Sequence, residues 1–600
     1  MLKTLKDSFD TRVFDILDRE DKSYFIFILF LALFSGVLEF VGIASIIPFI
    51  SLITDPEFAS TNKYMAQAIV YLDITEHMAT IIFGIFVITF FVSTNLFNIF
   101  ALWKTLSFTA YTEHKITTAV FHQYLGQSYK YFIHSSPSTI TKNIMNETDT
   151  VSNGYIYPFI QVIARSIIIF FISILLIIVD YKLFMGSILF IAIIYFLIFK
   201  NLKNVIEYYS QKKVTLTDNK YKTVHDAFNS FKDVKFYSAE DYYINKFSKY
   251  TKEFANNRAI ISLCSTSPRY IIEILLFGTI FSAIIYLISI KSAFVSYLPT
   301  LAIFILAAYR VIPMMQNLFV NFTILKFHAP SVKIILEAFN LKINAKYKQS
   351  GPINFNNNIS FKDINFNYND DNKVINNLSF KIYKSKLTAI VGDTGSGKTT
   401  LLDILLNFHQ ASSGEIRVDE LLITNMNRSA LLEKIGYVSQ TVSFQQASLA
   451  ENIAIGQSKS DINYTLINEL IHIVELESVV ESLKDGYNSE IGDKGIRLSG
   501  GQRQRIGIAR ALYLNPSILI LDESTNALDS KSESKIIDSI KERYEDITII
   551  MITHRLSSLK LSDNILLLKN DKMNDIKLDN KNDITEIENI INNKEATNYE

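Results

Sequence analysis

The sequence predicts a polytopic α-helical membrane domain followed by an α/β domain built on a buried sheet. Three observations predict it. Residues 24–322 contain six apolar runs of about the length that crosses a bilayer. After them Asn, Lys and Asp become frequent, and short β-like runs alternate with helical ones. Thirteen of the 20 glycines lie beyond position 350, most of them between a strand-like run and a helical one. Composition agrees: 49% of the 600 residues are hydrophobic and only 20% are charged, against about 25% charged in soluble domains. A wholly soluble enzyme and a disordered chain are excluded. Lys+Arg equals Asp+Glu at 59 each, so no global basic field calls for nucleic acid. Cys264 is the one cysteine, which rules out an intrachain disulfide and a multi-cysteine metal site.

Residues 1–22 are polar, with Phe9, Val13, Phe14, Ile16 and Leu17 at helical spacing. They read as a short helix at the membrane interface or as a solvated tail. They are no signal peptide, because the apolar run that follows is too long for one. The six runs are Tyr24–Ile53, Ala79–Trp103, Ile156–Val179, Leu183–Phe199, Ile271–Ile290 and Leu298–Phe322. Asp180, Tyr181 and Lys182 suggest a tight outer turn between the third and fourth. Two long polar segments, 104–155 and 200–270, read as helical extensions of the spans. Between 200 and 260 there are 12 Lys/Arg against 7 Asp/Glu, while the other three loops hold only Lys63, Lys182 and Lys291 as Lys/Arg. The positive-inside bias places both termini and both long segments in the cytoplasm. The membrane domain is expected over 23–330, a connector over 331–354, the α/β domain over 355–570 and a weakly structured tail over 571–600.

The chemistry lies in the α/β domain. The strand-like Leu387–Val391 leads into Gly392-Asp393-Thr394-Gly395-Ser396-Gly397-Lys398-Thr399, and Thr400 opens a helical run. Such glycines let successive backbone N–H groups curl around phosphate oxygens at the positive end of a helix. Lys398 would reach the β- and γ-phosphates, and the Thr399 hydroxyl would ligate Mg²⁺. Ile518–Leu521 reads as a buried strand ending in Asp522 and Glu523. At its tip Asp522 can hold Mg²⁺ through water and Glu523 can polarise an attacking water.

Leu498-Ser499-Gly500-Gly501-Gln502, running on through Arg503-Gln504-Arg505, resembles the signature of the ATP-binding cassette (ABC) family. The resemblance covers 355–570 and implies ATP and Mg²⁺ as cofactors. It gives Tyr368 the role of adenine-stacking aromatic and Gln440 that of sensing Mg²⁺ and water. Glu490–Gly495 resembles the exporter loop before the signature. Asn526-Ala527-Leu528-Asp529 becomes the dimer-contact loop, with Asn526 where Ser is usual, and His554 becomes the γ-phosphate contact. One cassette on one membrane domain is a half-transporter, so the resemblance implies a homodimer in which Ser499 faces ATP on the opposite cassette. It also implies coupling helices near His122–Tyr131 and Asp226–Phe236, and a bacterial inner-membrane location with the cassette in the cytoplasm.

Glu39, Arg165, Glu273 and Arg310 are the charged residues inside the six runs. A charge at mid-bilayer costs about 2.5–3.5 kcal/mol on insertion scales, so such groups face a cavity or a partner. Arg310 reads either as an anion site for cargo or as a partner of Glu39. Leu38-Glu39-Phe40, Pro268-Arg269-Tyr270-Ile271-Ile272-Glu273 and Ala308-Tyr309-Arg310-Val311-Ile312-Pro313 resemble the bacterial lipid-linked oligosaccharide flippases. That resemblance implies pyrophosphate handling by Arg269 and Arg310. Thr94 and Asn317 stand where further arginines are expected. A general lipid or drug exporter stays open, as does a membrane-tethered ATPase acting as a sensor.

Overall fold

The computed structural model describes residues 11–45, 48–49, 71, 75–289, 294–341, 353–368, 373–393, 395–424, 427–491, 498–569 and 572–576. Some side chains inside helices, among them most between 275 and 310, are outside this set. The chain forms two compact bodies. One comprises Met1–Gln127 and Tyr131–Ile343, the other Ser128–Lys130 and Asn344–Glu600.

The first body is helical: α1 Arg19–Ala44, α2 Glu76–Leu125, α3 Tyr129–His134 (its first two residues grouping with the second body), α4 Pro137–Lys142, α5 Tyr157–Asn229, α6 Phe231–Phe236, α7 Glu240–Ser289 and α8 Phe294–Phe339. Thr75 caps α2 by accepting from the Met78 amide at 3.3 Å. At 50 residues α2 is about 75 Å long, so it continues well past its apolar run, as expected for the polar segment 104–155. Among the described residues four helical stretches are long and apolar enough to cross a membrane: Arg19–Ala44, His77–Leu125, Pro137–Ile178 and Val311–Phe339.

Two features depart from the sequence reading. Helix α5 runs without a break through Asp180, Tyr181 and Lys182, where a turn was expected. The chain has no Gly or Pro between Pro158 and Gly186 to interrupt it. Near the N-terminus, Val13 and Leu17 are buried with Phe108, Ile116 and Val120 of α2. Asp18 and Asp21, which forms half of the α1 capping box, both accept from the Lys115 ammonium at 3.1 and 2.8 Å. This segment is therefore docked on the helical body.

Between α4 and α5 the backbone widens twice into π-helical turns, Asn143–Glu147 and Ser152–Ile156. A buried ion pair sits there with a third, partly exposed member: Lys142 Nζ lies 3.3 Å from buried Glu147 and 2.7 Å from Asp218. Nearby Lys213 Nζ reaches His328 Nδ1 at 2.9 Å and Ser331 at 3.3 Å. Gly154 admits this arrangement, since a Cβ there would meet the His328 ring at 2.8 Å.

The second body contains two sheets. The antiparallel one has the order β2-β1-β4-β5: Lys373–Tyr383, Asn358–Asn367, Ser413–Val418 and Leu421–Leu422. The larger has the order β10-β9-β3-β8-β7-β6: Lys572–Ile576, Asn564–Lys569, Leu387–Gly392, Thr548–Ile552, Ile518–Asp522 and Ile435–Val438. All its pairings are parallel except β10 with β9. Strand β7 is buried on both faces, which is why it reads as a continuous apolar run. Ile518 and Ile520 join one core, Leu519 and Leu521 the other. Helices α9 Lys398–Leu405, α10 Gly500–Tyr513 and α11 Ser530–Arg543 complete the scaffold used below. Tyr129, one of the three residues that group with this body, packs its ring 4.6 Å from that of Phe408.

Candidate nucleotide-binding and hydrolysis site

Strand β3, buried throughout, ends at Gly392. A Cβ there would lie 2.4 Å from the Leu568 carbonyl oxygen, so only glycine lets β3 pass this close to β9. The turn then closes on Gly397, whose φ of +95° caps α9 in the left-handed region. Between them Lys398 Nζ donates to the carbonyls of Gly392 at 2.7 Å and Asp393 at 2.8 Å. Its ammonium thus sits inside the curl of the loop. Gly395, at φ +82°, and Ser396 lie on the same curl, and Thr394 is outside the described residues. Thr399 is exposed in the first turn of α9, while Thr400 is buried with its hydroxyl 3.1 Å from the Tyr368 hydroxyl. Tyr368 is itself half exposed, with Phe366 and His409 against its edges at 5.0 and 5.2 Å. An exposed aromatic face beside a phosphate-type loop is the geometry a base requires.

Strand β7 delivers the carboxylates. Asp522 is buried at its end, and Tyr437 on β6 donates to its Oδ2 at 3.3 Å. Burial pushes the Asp522 carboxyl up to about 6; the adjacent Glu523 charge adds to that and the Tyr437 bond opposes it. Glu523 has φ of +47°, a conformation that costs a non-glycine residue about 1–3 kcal/mol and recurs at functional sites. That turn brings its carboxylate among three partners. Gln440 donates to Oε2 at 2.9 Å, Asn526 donates to Oε2 at 3.4 Å, and His554 Nε2 lies 3.4 Å from Oε1. Sequence positions separated by 83 and 31 residues thus converge on one carboxylate.

Ser499 caps α10: its hydroxyl accepts from the Gln502 amide at 3.2 Å, and Gln502 Oε1 accepts from the Ser499 amide at 2.8 Å. Gly500 and Gly501 form its first turn against the loop after β7; a Cβ on Gly501 would meet the Ala527 carbonyl at 3.0 Å. Gln504 holds the same loop by accepting from the Ala527 amide at 2.9 Å. Asn526, a departure from the family pattern, thereby gains a role beside Glu523. Of the expected preceding loop, Glu490 and Ile491 are described and 492–495 are not.

Thr399, Asp522 and Gln440 offer a hydroxyl, a carboxylate and an amide carbonyl. This hard-oxygen set suits Mg²⁺, which is commonly held by one or two carboxylates and completed by phosphates and water. Among the described residues no group of three or more His, Cys, Asp or Glu side chains could hold a metal alone.

In the membrane domain Glu39 is buried, accepting from Asn98 Nδ2 at 3.1 Å, and Ser35 donates to the same Asn98 at 2.7 Å. Arg269 pairs with Glu273 one turn on along α7, Nε to Oε1 at 2.6 Å. The Arg310 side chain, and with it the expected Glu39–Arg310 contact, lies outside the described residues. Sequence reasoning gave no role to Tyr437 or Asn98. Strand alternation puts Tyr437, opposite Ile520, on the sheet face that Asp522 also occupies.

Two family models match the chain: ABC transporter transmembrane region over residues 25–262 and ABC transporter over 375–526. The heterocyst differentiation ATP-binding protein HepA of a Nostoc species is 33% identical over 57% of this chain and 56% of its own. The ATP-dependent lipid A-core flippase of Saccharophagus degradans is 39% identical over 36% of each chain. An uncharacterized ABC transporter ATP-binding protein of Bacillus subtilis, YwjA, is 40% identical over 36% of this chain and 37% of its own. The chain spans just over a third to just over half the length of the curated relatives it matches. A bacterial Atm1-family ABC exporter with ATP bound shares the fold, with a TM-score of 0.75 over 94% of this chain and 95% of the other at 19% identity. With a phosphate loop, signature helix and carboxylate-tipped strand in one body and a matching membrane region in the other, the chain belongs to the ABC transporters as a half-transporter.

Proposed function

We propose that this half-transporter hydrolyses ATP to drive outward movement of an amphipathic, phosphate-bearing lipid-linked substrate, such as a polyprenyl-pyrophosphate oligosaccharide, across the bacterial inner membrane. The observation that carries the ATPase reading is the convergence of Gln440 and His554 on Glu523 at the tip of β7. Glu523 accepts a proton from the attacking water, and Gln440 and His554 hold its carboxylate in place. The loop from Gly392 to Thr399 binds phosphates through backbone N–H groups and Lys398, and Tyr368 stacks on the base. Thr399, Asp522 and Gln440 would hold Mg²⁺, which neutralises phosphate charge when bound.

The working unit is a homodimer with its cassettes in the cytoplasm, because Ser499 and the N-terminus of α10 complete a site on a second cassette. ATP favours joined cassettes and hydrolysis releases them. A lipid class of cargo is supported by the similarity to a lipid A-core flippase. A phosphate-bearing one is supported by Arg269 and Arg310, since guanidinium forks suit phosphate. Mass spectrometry of lipids that co-purify with full-length Glu523→Gln protein tests this reading. Enrichment of a phosphate-bearing polyprenyl lipid is expected, and enrichment of none refutes the cargo assignment.

A further inference from the structure

We infer that Tyr437 is a positioning residue for the hydrolytic site: its hydroxyl fixes Asp522 so that one carboxylate oxygen is committed to the sheet and the other is presented to Mg²⁺. This deepens the reading above and rests on it. Strand β6 pairs in parallel with β7, Tyr437 opposite Ile520. Side chains at 520 and 522 share a sheet face, so the phenol rises beside Asp522 from the adjacent strand. It reaches Oδ2 at 3.3 Å.

The ring is fixed from below. It is half-buried at the margin of the core that contains Leu402 and Ile520, with the Phe408 ring edge-on at 6.3 Å. A phenol held this way has little freedom to leave Asp522, and its hydroxyl, donating to a carboxylate, makes a bond stronger than a neutral pair would.

Position in the chain adds a second consequence. Tyr437 lies within β6, and Gln440 follows it by three residues on the segment leaving that strand. One strand end therefore contacts both carboxylates of the β7 tip, Tyr437 to Asp522 and Gln440 to Glu523. Partners of this kind, which orient a metal-binding group without touching the ion, change metal affinity about 10–100-fold when removed.

The test is Tyr437→Phe in the full-length protein, which deletes the hydroxyl and keeps the ring. The Mg²⁺ concentration for half-maximal ATP hydrolysis should rise about tenfold. A second reading avoids turnover. In a Glu523→Gln background with ATP bound, the Mg²⁺ concentration that raises the melting temperature should shift by a similar factor. Binding of ATP in EDTA should match the parent, which also certifies the fold. A Mg²⁺ requirement within twofold of the parent overturns the assignment. So does loss of ATP binding in EDTA, which would make the hydroxyl a structural bond. A parent whose hydrolysis is indifferent to EDTA removes the magnesium reading itself, a result distinct from either.

Discussion

The side-chain amide of Gln440 donates to Glu523 Oε2 at 2.9 Å, joining the segment after β6 to the tip of β7. Glu523 is held there in a left-handed backbone conformation, with Asn526 and His554 as further neighbours. A carboxylate so constrained is oriented before substrate arrives. Orientation of that kind is a large part of what a general base contributes.

Replacing Glu523 by Gln keeps the hydrogen-bonding shape and removes the basic oxygen. ATP should still bind, and hydrolysis should fall about 10²-fold or more. Phosphate release in proteoliposomes and retention of labelled ATP measure the two halves. Near-normal turnover would move the base elsewhere.

The signature helix predicts sites shared between protomers. Lys398→Ala and Ser499→Arg each disable both sites of a homodimer. In a mixed dimer one site carries both lesions and the other carries neither. ATPase above that of either pure mutant is the expected result for randomly mixed protomers. Activity that never exceeds them contradicts independently working shared sites.

The buried cluster at the π-helical turns makes a stability prediction. Lys142→Met takes from Glu147 its nearest cation in a site closed to water and leaves it the weaker attraction of Lys213, at a cost of up to about 3–5 kcal/mol. The melting temperature in detergent should drop sharply and recover in large part in Lys142→Met with Glu147→Leu. Asp218, more than a third exposed, can be rehydrated and should not prevent that recovery. A Lys142→Met protein as stable as the parent contradicts the reading.

Lys213 gives a pH dependence. Burial lowers its ammonium from the usual 10.5 to about 8 in the folded chain. Between those values the unfolded chain binds the extra proton, so this group makes the folded state gain stability as pH rises from 8 towards 10.5. Below 8 both states are protonated and its penalty is fully present, on the order of 3 kcal/mol. Lys213→Met should flatten the alkaline rise measured by thermal melts across that range. An unchanged slope would contradict the shift.

What the sequence disclosed and what it did not have physical causes. Strand β7 was legible because burial on both faces demands an unbroken apolar run before Asp522. The phosphate loop was legible because its backbone demands glycines at fixed places, and Gly392 and Gly397 stand where a side chain would clash or strain. The turn at Asp180–Lys182 was misread because charged residues after an apolar run mark a change of polarity and do not by themselves end a helix, and no Gly or Pro between Pro158 and Gly186 interrupts this one. Docking of Val13 and Leu17 was invisible because their partners lie about 100 residues away on α2. The left-handed conformation of Glu523 has no local signal, since tertiary contacts impose it. Tyr437 reads as one more strand aromatic until the register with β7 is known.

The most direct measurement is movement of a polyprenyl-pyrophosphate-linked glycan in proteoliposomes whose cassettes face outward. Parent protein should carry the glycan into the lumen only with ATP, and Glu523→Gln protein should carry none. ATP hydrolysis by the parent with no ATP-dependent movement of this or any other amphipathic lipid would contradict the account.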